Sequence, residues 1–148
     1  MLRGDGKGGF ASIAGQVSGL ILYGEQRGSA VGDINEDGRT DLVVTENGGP
    51  THLFLNRSAR PGLRIRLEGP AQNPRGIGAT VRLRSGDHFG PARELHAGSG
   101  YWSQDSSVMV MSLEEIPSSV SVRWPGGREN STAVKPGARE IVVKHPAP

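Results

Sequence analysis

The stretch Asp33-Ile34-Asn35-Glu36-Asp37-Gly38-Arg39-Thr40-Asp41 carries the strongest chemical signal in the chain. Asp33, Asn35, Asp37 and Asp41 place oxygen-bearing side chains at odd positions of a nine-residue loop, and Gly38 stands where the chain must turn sharply. Hard oxygen ligands at this spacing are what Ca²⁺ requires. The backbone carbonyl of Arg39 would add a further oxygen, with water completing the shell. Three carboxylates against two metal charges leave such a site slightly anionic, which suits the millimolar Ca²⁺ found outside cells. An EF-hand is ruled out because its twelfth position would be Val44, not glutamate, and strand-like sequence follows. The competing reading is an Asp/Asn/Gly turn that holds no ion, since these residues favour turns in any case. Four donors in register, followed directly by Leu42-Val43-Val44, favour the ion. Its expected role is structural: it would hold together a strand-to-strand loop whose carboxylates otherwise repel.

A second cluster, between Arg93 and Asp105, is the densest in polar and aromatic groups. Glu94, His96, Tyr101, Trp102 and Gln104 are candidate ligand-binding residues, with an aromatic ring as a stacking platform for a sugar or peptide. The competing reading, and the favoured one, is a tight glycine turn with its tryptophan in the core. Ser99 and His96 do not make a convincing nucleophile and base, because there is no nucleophile-elbow pattern and no orienting acid is identified. No catalytic residue is assigned, and the chain is expected not to be an enzyme. With no cysteine, disulfides, thiolate metal sites and a cysteine nucleophile are all excluded. Seventeen basic against fifteen acidic residues give a net charge of +2, and the arginines are scattered rather than blocked, so no nucleic-acid partner is expected.

The elements that must position these groups are strands. Among 148 residues, 23 glycines, 10 prolines and only 34% apolar residues suit short strands joined by many turns. Leu63–Leu67, Thr80–Arg84 and Ser119–Trp124 alternate with period two, so their apolar residues should face a core and their Arg or Ser should face water. Trp124 falls in step with Val120 and Val122 and reads as core. Shorter apolar runs lie at Asp41–Thr45, His52–Leu55, Val108–Met111 and Glu140–Val143. The best boundary is Arg57-Ser58-Ala59-Arg60-Pro61-Gly62, which separates the acidic loop from the longer run of strands. No stretch approaches the ~20 apolar residues of a membrane span. The glycine-rich N-terminus lacks the apolar segment of a signal peptide and reads as the middle of a repeat, so the chain is expected to be a piece of a longer protein.

Residues Gly32–Val44 together with Leu53-Phe54-Leu55-Asn56 resemble an FG-GAP repeat, the integrin-α-like repeat also called VCBS. Each such repeat is one β-propeller blade with Ca²⁺ in the loop between two strands. Gly4-Asp5-Gly6-Lys7-Gly8-Gly9-Phe10 resembles the tail of a preceding repeat, so residues 1–57 look like about one blade. Residues 61–144 resemble the ASPIC/UnbV domain, through Arg75-Gly76-Ile77-Gly78-Ala79-Thr80-Val81, then Arg93–Gln104, then Val120–Gly127. Met109-Val110-Met111-Ser112-Leu113 departs from the Phe-Gly-Leu-Gly-like segment usual in that family. The resemblance implies an all-β chain: a propeller-type blade with a Ca²⁺ loop, then an antiparallel β-sandwich-like or barrel-like domain. It implies an exported protein, extracellular, periplasmic or on the cell surface, and the short loops suggest a bacterial source. The expected function is non-enzymatic, calcium-stabilised binding or scaffolding of a carbohydrate or an extracellular protein, at the C-terminus of a larger propeller protein. The alternatives are a purely structural cap on the propeller, or an accessory role in polyketide-type biosynthesis that only the family name prompts. An isolated blade exposes strand edges, so it should dock on the C-terminal domain or pair with another copy as a homo-oligomer.

Overall fold

The structure is a computed structural model and describes residues 1–112 and 115–146; Leu113, the last residue of the departing segment, lies outside them. The chain is almost all β. A short hairpin comes first, β1 (Leu2–Gly4) and β2 (Phe10–Ser12), then one helical turn, α1 (Gly15–Ser18). Three strands follow, β3 (Gln26–Gly32), β4 (Asp41–Glu46) and β5 (His52–Phe54), in one antiparallel sheet in that order. The C-terminal part holds β6 (Leu63–Glu68), β7 (Thr80–Ser85), β8 (His88–Phe89), β9 (Arg93–Glu94), β10 (Met109–Met111), β11 (Ser119–Arg123), β12 (Glu129–Ala133) and β13 (Glu140–Lys144).

These eight strands make two sheets, β10-β6-β13 and β12-β11-β7, the latter with β8 and β9 sharing the far edge of β7. Period-two alternation explains the core. Leu63, Ile65 and Leu67 from one sheet meet Val81, Leu83, Val120 and Val122 from the other, with Trp124 and Val143 closing the cluster. The Trp124 indole N–H donates to Asn130 Oδ1 at 2.7 Å, so burying this ring leaves no donor unpaired. The two sheets form an open sandwich, and the barrel alternative falls away. One pairing also corrects the antiparallel expectation: β13 runs parallel to β6. A parallel neighbour needs a long crossover, and the whole β7–β12 excursion supplies it.

The N-terminal blade is built differently. Among the described residues, Val44 is the one buried apolar side chain before Leu63. Val31, Ile34, Leu53 and Leu55 are exposed. So small a core cannot stabilise three strands on its own. The blade depends on what it leans against, and it leans on the C-terminal sandwich. The Val31 N–H donates to Asp105 Oδ1 at 2.8 Å, and the Ser106 N–H donates to the Val31 carbonyl at 2.9 Å. The outer edge of β3 is thereby partly covered, as the exposed-edge argument requires.

Candidate functional site

The acidic loop joins β3 to β4. Its backbone is wound round Asp33, whose carboxylate accepts the N–H groups of Asp37 (3.0 Å) and Gly38 (2.8 Å). Asp41, only 1% exposed, closes the far end by accepting from Ile34 N–H (2.9 Å) and from Asn56 N–H (2.8 Å) beyond β5. Gly38 has φ +81°, and a Cβ there would come within 3.0 Å of the Gly62 carbonyl. Only glycine allows both the turn and this approach, and the Gly62 N–H uses it to donate to the Gly38 carbonyl at 2.7 Å.

The donors differ in what they face. The Asp33 side chain is 1% exposed and receives Arg64 Nη1 at 2.7 Å. Asp37 accepts from Asn35 Nδ2 (3.1 Å), Arg39 N–H (2.9 Å) and Arg39 Nη1 (3.0 Å). Burial pushes the Asp37 carboxyl up, but the hydrogen bonds from Asn35 and Arg39 and the charge of Arg39 outweigh it and hold it below the ordinary range. Among the described residues, no three acidic or histidine side chains gather where they could hold a metal ion together. The physical reason is that Asp33 and Asp37 are each turned to a guanidinium. In kind, the donor set still fits a hard cation: Asp33, Asn35, Asp37, the Arg39 carbonyl and Asp41 are all oxygens on one loop, and the buried Asp41 carboxylate is met by backbone N–H groups alone.

Arg64 is the residue whose exposure the alternation argument misjudged. It sits between Leu63 and Ile65 on β6, so it should face water, yet it is buried. The face it lies on is the one the blade covers. Its guanidinium bridges Asp33, Glu36 (3.3 Å) and Glu140 of β13 (3.0 Å), and Arg66 also pairs with Glu140. Desolvation disfavours the Arg64 charge, but the bonds to Asp33 and Glu140 outweigh it and hold the group more firmly protonated. Arg66 above all, then Arg64, draws the Glu140 carboxyl below the ordinary glutamate range against the opposing effect of burial.

Glu36 adopts φ +60°, a left-handed conformation that costs a non-glycine residue about 1–2 kcal/mol. Its exposed ion pair with Arg64 recovers less than about 1 kcal/mol. Glu36→Gly should therefore hold the melting temperature or raise it by about 1–3 °C. A clear fall in a thermal melt would show that the Arg64 contact outweighs the backbone strain.

The second cluster forms a hairpin-like loop from β9 to Ser106. Gln104 ties it together: its amide donates to the His96 carbonyl (3.0 Å), and its Oε1 accepts from Gly98 N–H. Asp105 N–H donates to the Ser99 hydroxyl at 2.8 Å, so that oxygen serves the loop. His96 and Glu94 pair at 3.4 Å on the surface. Tyr101 and Trp102 do not enter the core. They stack on one another with centroids 5.6 Å apart and 18° between planes, and Trp102 is 89% exposed. The favoured reading of a core tryptophan is thus overturned, because the sandwich already closes over Trp124. The five candidate ligand-binding residues share one loop. The cavity beside them, bounded by Glu94, His96, Gln104 and the β3 edge, holds about 110 Å³. That is below the ~300 Å³ of ordinary small-molecule sites.

Two family models match this architecture. The FG-GAP repeat matches residues 27–57, the blade with its acidic loop, and "ASPIC and UnbV" matches residues 69–148. Cartilage acidic protein 1 of Xenopus tropicalis is 33% identical over 66 residues, which are 45% of this chain and 10% of that protein. The chain thus corresponds to only a small part of that relative. Among the described residues, no helix is long and apolar enough to cross a membrane. With more than half of its length covered by that one family, and an FG-GAP repeat before it, the chain belongs to the ASPIC and UnbV family.

Proposed function

We propose that this chain is a non-enzymatic binding or scaffolding module of an extracellular protein, stabilised by Ca²⁺, in which an FG-GAP blade is held rigidly on an ASPIC/UnbV domain. The observation that carries the reading is the Arg64 junction. The loop that would hold the ion is also the loop that docks the blade, so ion binding and module orientation use the same residues. Asp33, Asn35, Asp37, Asp41 and the Arg39 carbonyl would hold the ion, which would supply charge neutralisation and no chemistry. Two polar side chains of the second cluster hold its loop, as expected of a scaffold: Ser99 serves Asp105, and Gln104 serves His96 and Gly98. A second reading, a cap that closes the last blade of a propeller, is favoured by the Asp105–Ser106 cover on the β3 edge. A carbohydrate or extracellular protein ligand fits the first reading, whereas a pure cap needs none.

Thermal melts test the ion. Millimolar Ca²⁺ should raise the melting temperature by several degrees relative to excess chelator, as expected for a ligand well above its dissociation constant. Asp37→Ala should abolish the rise. An identical melt in Ca²⁺ and in chelator would refute calcium stabilisation while leaving the docked architecture intact.

A further inference from the structure

Trp102 combines two unfavourable features. The residue is 89% exposed, and its backbone has φ +51°, a region that a bulky residue rarely occupies. Nothing about the fold demands an indole here. The loop is closed by Gln104, by the Ser99 hydroxyl and by the Ser99 N–H bond to the Ser103 carbonyl, none of which involves the ring. The loop is also seated: a Cβ on Gly28 of β3 would meet the Tyr101 and Trp102 carbonyls at 3.2 and 3.3 Å. The rings therefore project from a braced base rather than from a loose tip, and the near-parallel offset stack with Tyr101 fixes the plane of the indole.

We propose that Tyr101 and Trp102 form a stacking platform for a neutral oligosaccharide. This deepens the binding half of the function proposed above and rests on it. The surroundings select the ligand. A protein partner would need about 800 Å² of surface from this side, whereas the exposed aromatic patch is only two rings wide and its neighbours on the same hairpin are Ser99, Ser103, Gln104, Glu94 and His96. A single-stranded nucleic acid would stack equally well but needs a cationic groove for its phosphates, and here His96 is already paired with the carboxylate of Glu94. A sugar ring matches what is present: its C–H face lies on the indole and its hydroxyls meet polar rim groups. The neighbouring cavity of about 110 Å³ is too small to enclose a ring, so the sugar must lie on the surface.

The test uses the full chain on a printed array of glucose, galactose and N-acetylglucosamine oligosaccharides and extracellular matrix proteins, followed by titration of the strongest glycan. The chain has two tryptophans, and Trp124 is 2% exposed, so changes in intrinsic fluorescence report Trp102. Binding should shift the emission to the blue and protect it from acrylamide. Trp102→Gly should weaken binding by about tenfold or more while holding or raising the melting temperature, because glycine suits the left-handed backbone. Tyr101→Ala should weaken binding less. The proposal is overturned if no glycan binds, if Trp102→Gly binds like the parent, or if that variant melts several degrees lower, which would make the ring structural. Capture of a matrix protein without any glycan would overturn the platform but leave the module reading standing.

Discussion

Replacing Arg64 by alanine should destabilise the protein by about 3–5 kcal/mol, far more than the loss of a surface arginine. The reason is what the change leaves behind. The Asp33 carboxylate is 1% exposed, and Glu140 already shares Arg66. Without the guanidinium, Asp33 is a buried charge whose remaining partners are the backbone N–H groups of Asp37 and Gly38. The damage should be unevenly spread. The sandwich keeps its own apolar core, whereas the blade, with Val44 its one buried apolar side chain, loses its anchor. Hydrogen exchange should therefore show residues 26–56 losing protection while β6, β7 and β11 retain theirs. Lysine at this position keeps the charge but cannot serve three carboxylates with one planar fork, so rescue should be partial. Acid supplies a second reading of the same junction. The lowered Glu140 pKa means that the unfolded chain binds the proton more readily. The stabilisation is thus complete above the ordinary glutamate value of ~4.3 and is lost as pH falls through the lowered folded value. Arg64→Ala should flatten that acid limb in part, because Arg66 remains. A parallel loss of protection in blade and sandwich, or an unchanged acid limb, would contradict the junction as described.

Much of this is legible in the sequence, because period two is a physical signature. Leu63-Arg64-Ile65-Arg66-Leu67 and Ser119-Val120-Ser121-Val122-Arg123 announce both strand and buried face, and the sandwich core is made from those positions. The strand at Gln26–Gly32 was not legible. Gly28, Ser29, Ala30 and Gly32 carry little apolar surface, so the sheet there is set by partners rather than by pattern. Strand β12 was hidden for a related reason: its Glu-Asn-Ser-Thr-Ala sequence is polar, and it is an edge strand. Arg64 and Trp102 failed in opposite directions. The alternation placed Arg64 correctly on the outer face but could not know that another module covers that face. Composition placed Trp102 inside because tryptophan is usually buried, but one sandwich of this size closes over a single indole, and Trp124 has that place. Both failures fall where two modules meet or where a surface is offered, which no local pattern encodes.

Asp41→Ala should be a strongly damaging change within the loop itself, at about 2–4 kcal/mol. The Asp41 carboxylate spans from Ile34 at the start of the loop to Asn56 at the start of the linker, and both N–H groups lose their acceptor when it is removed. A cavity follows, because the side chain is almost fully enclosed. Asp41→Asn keeps one acceptor oxygen and should fall between the two. Asp37 makes the informative contrast. Its bonds stay within the loop, to Asn35 and Arg39, and its pair with Arg39 is partly open to water. Asp37→Ala should therefore cost far less than Asp41→Ala in chelator. In Ca²⁺, both variants should lose the stabilisation that the parent gains, since each removes a carboxylate from the proposed donor set. Urea unfolding of the three proteins with and without the ion thus separates two roles that the parent combines. If Asp41→Ala keeps a normal Ca²⁺ response while losing baseline stability, Asp41 is a purely architectural carboxylate and the donor set must be redrawn without it. If Asp37→Ala loses as much baseline as Asp41→Ala, the loop is held from its middle rather than from its ends.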